Sequence, residues 1–310
     1  MDIHKKFFSK IGLNYLIFAI IALIAQIIVV NIFNVVNSSL LTDFNVLTIL
    51  TSICNYILPF PIFYYLMRKI EKQNLEKQNL SLKTFLLYLS ITFTLMWIGN
   101  IVGLAITSAI GGIFQTEIRN PVHNLINSSD IWLNLLLVSI IGPIFEEIIF
   151  RKFLIDRTIK YGARVSIIVS AVIFGFFHGN LSQLFYTFLL GGFFAYVYIK
   201  TGRIIYSITL HIIVNLMGSV VSIFVVESAQ AIISNAYTAT DIALILVYVL
   251  VILLALIIGI IGLARYKKAK FNGTKTQIAL KNPLKTSLLN PGMIFFMLFF
   301  IGEIIYTLFR

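Results

Sequence analysis

Pro143-Ile144-Phe145-Glu146-Glu147-Ile148-Ile149-Phe150-Arg151 sets two adjacent carboxylates and a guanidinium inside a run that is otherwise apolar. An ionisable side chain at the centre of a bilayer costs about 2.5–3.5 kcal/mol on insertion scales, so it points to a function and needs a partner. The surrounding chain makes this run a membrane span. Of the 310 residues, 59% are hydrophobic and 12% charged, whereas soluble domains carry about 45–50% apolar residues. Apolar runs recur near the ~20 residues that a spanning helix needs, and the alternating strands of a membrane barrel are not seen. The expected fold is an all-α, polytopic membrane helical bundle.

Runs near 11–36, 45–67, 84–112, 131–159, 165–179, 182–199, 204–226, 242–264 and 292–309 predict roughly nine transmembrane helices. The first run is too long for the 7–15-residue core of a cleaved signal, so it reads as an uncleaved span. The net charge of +12 does not imply nucleic acid, because the basic residues alternate with the spans. On this layout all 24 Lys and Arg except Arg119 and Arg310 fall on one side, which places the N-terminus in the cytoplasm and the C-terminus outside. Segments 113–130 and 227–241 read as outer loops, and 265–291 as a basic loop against the lipid bilayer. The tandem Glu-Lys-Gln-Asn-Leu at 71–80 reads as a solvated connector. Cys54 is the single cysteine, so neither a disulfide nor a cysteine metal site can form.

Nine of the 12 acidic residues fall in loops or near span ends, which leaves Glu146, Glu147 and Glu303 within spans. Glu303, on the last helix, reads as solvated near the outer end. The histidines within spans are His178 and His211. At about 1.5 Å per residue, Glu146 lies about 21 Å before Lys160, His178 about 21 Å beyond Arg164, and His211 and Asn215 about 12 and 18 Å beyond Arg203. Three helices therefore bring polar groups to one layer. Residues four apart share a helix face, so Glu147 can pair with Arg151, Phe174 stands over His178 and His211 over Asn215. Glu146 points about 100° away from Glu147. Taken singly, the ion pair would fix helix rotation, and Phe174, His178, His211 and Asn215 would be packing or interhelical hydrogen bonds. The rows Ala171, Gly175, Gly179 and Gly191, Ala195 read as close helix contacts.

Glu146-Glu147-x-x-x-Arg151, Phe174-x-x-x-His178 and His211-x-x-x-Asn215, in that order, resemble the three motifs of the CPBP (Abi) family. This family of intramembrane proteases includes the type II CAAX prenyl endopeptidases. The resemblance covers about 131–226, which would make that segment the protease core, with 1–130 and 227–310 as flanking membrane helices. It implies peptide-bond hydrolysis in which Glu146 is the general base, His178 helps hold the water, and His211 with Asn215 stabilises the oxyanion. Glu147, Arg151 and Phe174 would be the supporting residues. A metal is left open: Glu146, His178 and His211 supply a carboxylate and two imidazoles, a set sufficient for catalytic zinc or another divalent metal.

The substrate implied is a peptide or protein in or at the membrane, in bacteriocin immunity or the processing of signal peptides, with prenylated protein a lesser expectation. The Ile-, Asn-, Lys- and Phe-rich usage suggests a bacterial cell membrane. One alternative is a non-catalytic immunity or scaffold protein, which would not need all four polar groups. Another is a proton-coupled transporter, whose paired halves and broken helices are not evident in the sequence.

Overall fold

A computed structural model describes residues 2–115, 128–265 and 278–309. Glu117, Arg119, His123 and residues 266–277 of the basic loop lie outside them. The helices are α1 (Ile3–Thr42), α2 (Phe44–Arg68), α3 (Leu82–Phe114), α4 (Ile131–Tyr161), α5 (Ala163–Phe177), α6 (Leu181–Thr201), α7 (Ile204–Ile233), α8 (Ala239–Arg265), α9 (Pro283–Leu288) and α10 (Pro291–Leu308). Among the described residues there are no strands, and eight helices are long and apolar enough to cross a membrane. The protein is a multi-pass, all-α membrane protein.

The expected count of nine spans is corrected by α5. It has 15 residues, or about 22 Å of helix, short of the ~30 Å hydrocarbon core. Glycine sets both limits: Gly162 precedes it at φ 95° and Gly179 follows it at φ 57°, a left-handed conformation that side chains with a Cβ resist. His178 is therefore the C-cap of α5, where the run 165–179 had placed it inside a span.

Polar caps start several of the other helices. Asp43 accepts from the amides of Asn45 and Val46, Ser81 from Thr84, Asn180 from Ser182, and Asn290 from Met293. Each satisfies amides that a helix start leaves unpaired.

At the centre stands α6, 67% of whose most apolar window is buried, against 11% for α8. The outward side chains of α8, such as Leu246, Leu250 and Leu254, are exposed, as lipid-facing residues should be. One apolar core joins α1, α2, α4, α5 and α10 through Phe18, Phe63, Phe150, Phe174 and Phe296. A second joins α3, α6 and α7 through Ile91, Phe194 and Leu210. The small-residue rows make the contacts expected of them. A methyl added at Gly175 would stand 3.1 Å from Phe188 Cβ, and one at Gly191 would stand 3.1 Å from Phe174 Cδ1.

The connector after α2 is not merely solvated. It forms neither helix nor strand, and Gln73 and Gln78, at the same place in the two repeats, donate their amides to Asp156 O (2.5 Å) and Thr201 O (2.7 Å). Leu75 and Leu80, again equivalent, pack against buried clusters. The duplication thus straps the ends of α4 and α6, giving partners to carbonyls near the end of each helix.

Candidate active site

Two wide turns bracket the glutamates. Residues Asn134–Ile141 and Ile148–Phe153 of α4 are π-helical, and Gly142–Glu147 between them is α-helical. Such widening displaces backbone hydrogen bonds and recurs at functional sites. Here the displaced carbonyls are met from other helices. Tyr15 Oη donates to Ile149 O at 2.6 Å, and Ser170 Oγ donates to Phe150 O at 3.0 Å. The amide of Gly142 bonds Leu137 O, so the matching partner for Val138 O would be residue 143, a proline without an N–H. Asn215 Nδ2 fills that place at 3.0 Å.

The two acids diverge in burial and converge on one imidazole. The Glu147 side chain is fully buried, and its Oε1 lies 3.1 Å from Arg151 Nη2 and accepts from His211 Nδ1 at 3.0 Å. Glu146, 15% exposed, places Oε2 3.6 Å from His211 Nε2 and accepts at Oε1 from Tyr56 Oη at 2.6 Å. The expected Glu147–Arg151 pairing is present. Although the two side chains leave the helix about 100° apart, Glu147 reaches His211 as well.

Phe174 lies amid these groups. Arg151 stacks 4.2 Å from its ring centroid, His178 meets it edge-on at 4.8 Å and His211 at 5.8 Å. A cation over a ring face is favourable and more so away from water. That contact matters for Arg151, whose Nε and Nη1 find no hydrogen-bond acceptor among the described residues. His178 donates Nδ1–H to Phe174 O at 2.9 Å, which leaves Nε2 as its acceptor.

Glu146, Glu147, Arg151, Phe174 and His211 thus form one contact set. His178 joins it through Phe174, and Asn215 through Val138. Glu303, expected at a solvated outer end, is partly buried instead, with its Cβ 3.5 Å from where a Cβ of Gly179 would stand. Among the described residues no three of His, Cys, Asp and Glu stand close enough together to hold a metal ion. Glu146, His178 and His211 do not make such a group in this arrangement.

Sequence reasoning passed over Tyr56. Its position was the available signal, because membrane tyrosines favour the interfaces and this one sits midway along α2. Beside it an apolar cavity of about 190 Å³ is bounded by Ile49, Ile53, Ile57, Leu133, Leu137 and Ile141.

Residues 128–217 match the family model described as type II CAAX prenyl endopeptidase Rce1-like. The chain is also similar to a Bacillus subtilis protein named "Putative membrane peptidase YdiL", 39% identical over 87 residues. That match covers 27% of this chain and 34% of the relative, so the chain spans about a third of the length of the curated protein it matches. No solved structure matches the chain. The segment that carries Glu146, His178, His211 and Asn215 is the segment matched, and it is this segment that is similar to the type II CAAX prenyl endopeptidases.

Proposed function

We propose that the protein is an intramembrane endopeptidase that hydrolyses a peptide bond of a membrane-associated peptide or protein. The observation that carries this reading is a single imidazole, His211, held between the carboxylates of Glu147 and Glu146. Its Nδ1–H is committed to a fully buried acid, which fixes ring orientation, and the imidazolium form carries a second hydrogen on Nε2. Its Nε2 faces the more accessible acid at 3.6 Å, a gap that suits a bridging water.

Glu146 takes a proton from that water as the hydroxyl adds to the scissile carbonyl carbon. The proton is then passed to the leaving nitrogen as the carbon–nitrogen bond breaks. Glu147 and Arg151 hold His211 in place. Charge developing on the carbonyl oxygen is met by the Nε2–H of imidazolium His211 and by Asn215, whose Nδ2 carries two hydrogens, one of them bonded to Val138 O. One preorganised donor of this kind is worth about 2.7–4 kcal/mol at a developing oxyanion. His178 Nε2 accepts from the water. The described arrangement offers no three-ligand metal group.

The substrate is taken to be an apolar or amphipathic peptide cut near the cytoplasmic half of a bacterial cell membrane, with the N-terminus of the enzyme in the cytoplasm, as the basic loops favour. Bacteriocin immunity and signal-peptide processing are the settings proposed. The test is mass spectrometry of membrane peptides incubated with the purified parent, Glu146→Ala and His178→Ala. Cleavage by the parent and by neither variant is expected, and equal products from all three would refute the reading. A chelator should leave the parent's activity intact; loss of activity, restored by added zinc, would put a metal in the mechanism.

A further inference from the structure

We propose that Tyr56 is a positioning residue for the Glu146 carboxylate, supplied by a helix that lies outside the family-matched segment. This rests on the reading of Glu146 as the general base. The Tyr56 hydroxyl donates to Glu146 Oε1 at 2.6 Å, within the short range of hydrogen bonds to an ionised carboxylate. With Oε1 held, Oε2 is the oxygen that faces His211 Nε2. A glutamate has three side-chain torsions, and an unheld carboxylate would exchange its two oxygens and swing away from the reacting layer. Misplacing a reacting group by about 1 Å costs on the order of 100-fold in rate.

The surroundings are shaped to keep that hydroxyl in place. Tyr56 lies in the π-helical turn Ile53–Ile57, and its ring stacks on Phe145 with centroids 5.6 Å apart and planes at 24°. The neighbouring Asn55 accepts from Gln26 Nε2 at 2.6 Å, which ties the turn to α1. On the other side Gly142 leaves the room needed. A Cβ there would come within 3.3 Å of the Tyr56 hydroxyl oxygen, tighter than ordinary van der Waals contact. A ring that served only as packing would not require its oxygen at Glu146.

Tyr56→Phe removes the oxygen and keeps the ring against Phe145 and the cavity. It is to be compared in the full-length protein with the parent and Glu146→Ala, using a fluorogenic peptide built on a sequence the parent cleaves in the membrane-peptide screen. The expected result for Tyr56→Phe is a kcat about 10- to 100-fold lower, a KM within about twofold of the parent and an unchanged melting temperature. Full kcat in Tyr56→Phe beside a dead Glu146→Ala overturns this inference alone. A lowered melting temperature or folded yield that accounts for the lost activity makes Tyr56 a packing residue and also overturns it. A parent that cleaves nothing overturns the endopeptidase reading, and this inference with it.

Discussion

Glu147 and His211, 64 positions apart in sequence, are joined by a 3.0 Å hydrogen bond from the imidazole Nδ1 to a carboxylate with no exposed surface. The same oxygen faces Arg151, so one buried acid serves both a cation and the ring that faces Glu146. Removing it would leave a buried guanidinium without its counterion, which costs about 3–5 kcal/mol. Glu147→Ala is therefore expected to unfold at a markedly lower temperature in detergent and to lose activity. Glu147→Gln keeps an acceptor for Nδ1 and should recover part of the stability; a melting temperature equal to the parent's in Glu147→Ala would show that Arg151 needs no counterion.

Arg151 is fully buried, with Phe174 4.2 Å and Phe194 5.7 Å from its guanidinium carbon. A lysine ammonium cannot reproduce a planar group laid on a ring. Arg151→Lys should consequently lose folded yield nearly as far as Arg151→Ala. Size-exclusion profiles of the two variants would check this, and a normal yield with abolished turnover would instead assign Arg151 a direct part in the chemistry.

Asn215 should matter to structure as well as turnover. Its amide satisfies Val138 O, a carbonyl that Pro143 leaves without a helical partner. Losing a partner costs a fully buried acceptor about 1–3 kcal/mol, and the half-buried Val138 O should lose less. Asn215→Ala is expected to lower the melting temperature and kcat together. Asn215→Asp should be worse, because an ionised carboxylate would face the carbonyl with no hydrogen to offer.

Gly191 sets the distance between α6 and the Phe174 ring. An added methyl would stand 3.1 Å from Phe174 Cδ1 and 3.2 Å from Ala171 Cα. Overfilling a packed core costs about 1–3 kcal/mol, and here the displaced ring is the one on which Arg151 and both imidazoles rest. Gly191→Ala should lower kcat more than a neutral surface change, and Gly191→Leu should lower folded yield. Wild-type kinetics in Gly191→Leu would mean that Phe174 does not need its place.

The Glu147–Arg151 pair and the His211, Asn215 face were legible because helical periodicity places residues four apart on one side. The layer shared by α4, α5 and α7 was legible from counting residues inward from basic loops. His178 was expected inside a span, whereas it caps α5. Hydropathy continues through Phe176 and Phe177, and the helix stops there because Gly179 takes a left-handed conformation. The five-residue duplicate looked like a solvated connector because its charges dominate, whereas its amides and leucines do the binding.

The sequence by itself determined the class of the protein and which of its polar groups share a helix face. Those follow from apolar run length and from the rise and turn of a helix, both local properties. Only the tertiary structure decided that Glu147 holds His211, that Asn215 completes the turn broken by Pro143, and that Tyr56 reaches Glu146 from 90 residues away. Hydropathy records how deep a residue lies but not the rotation of its helix about its own axis. That rotation, and the widening of turns that lets one helix meet the carbonyls of another, are set by packing between segments distant in the chain.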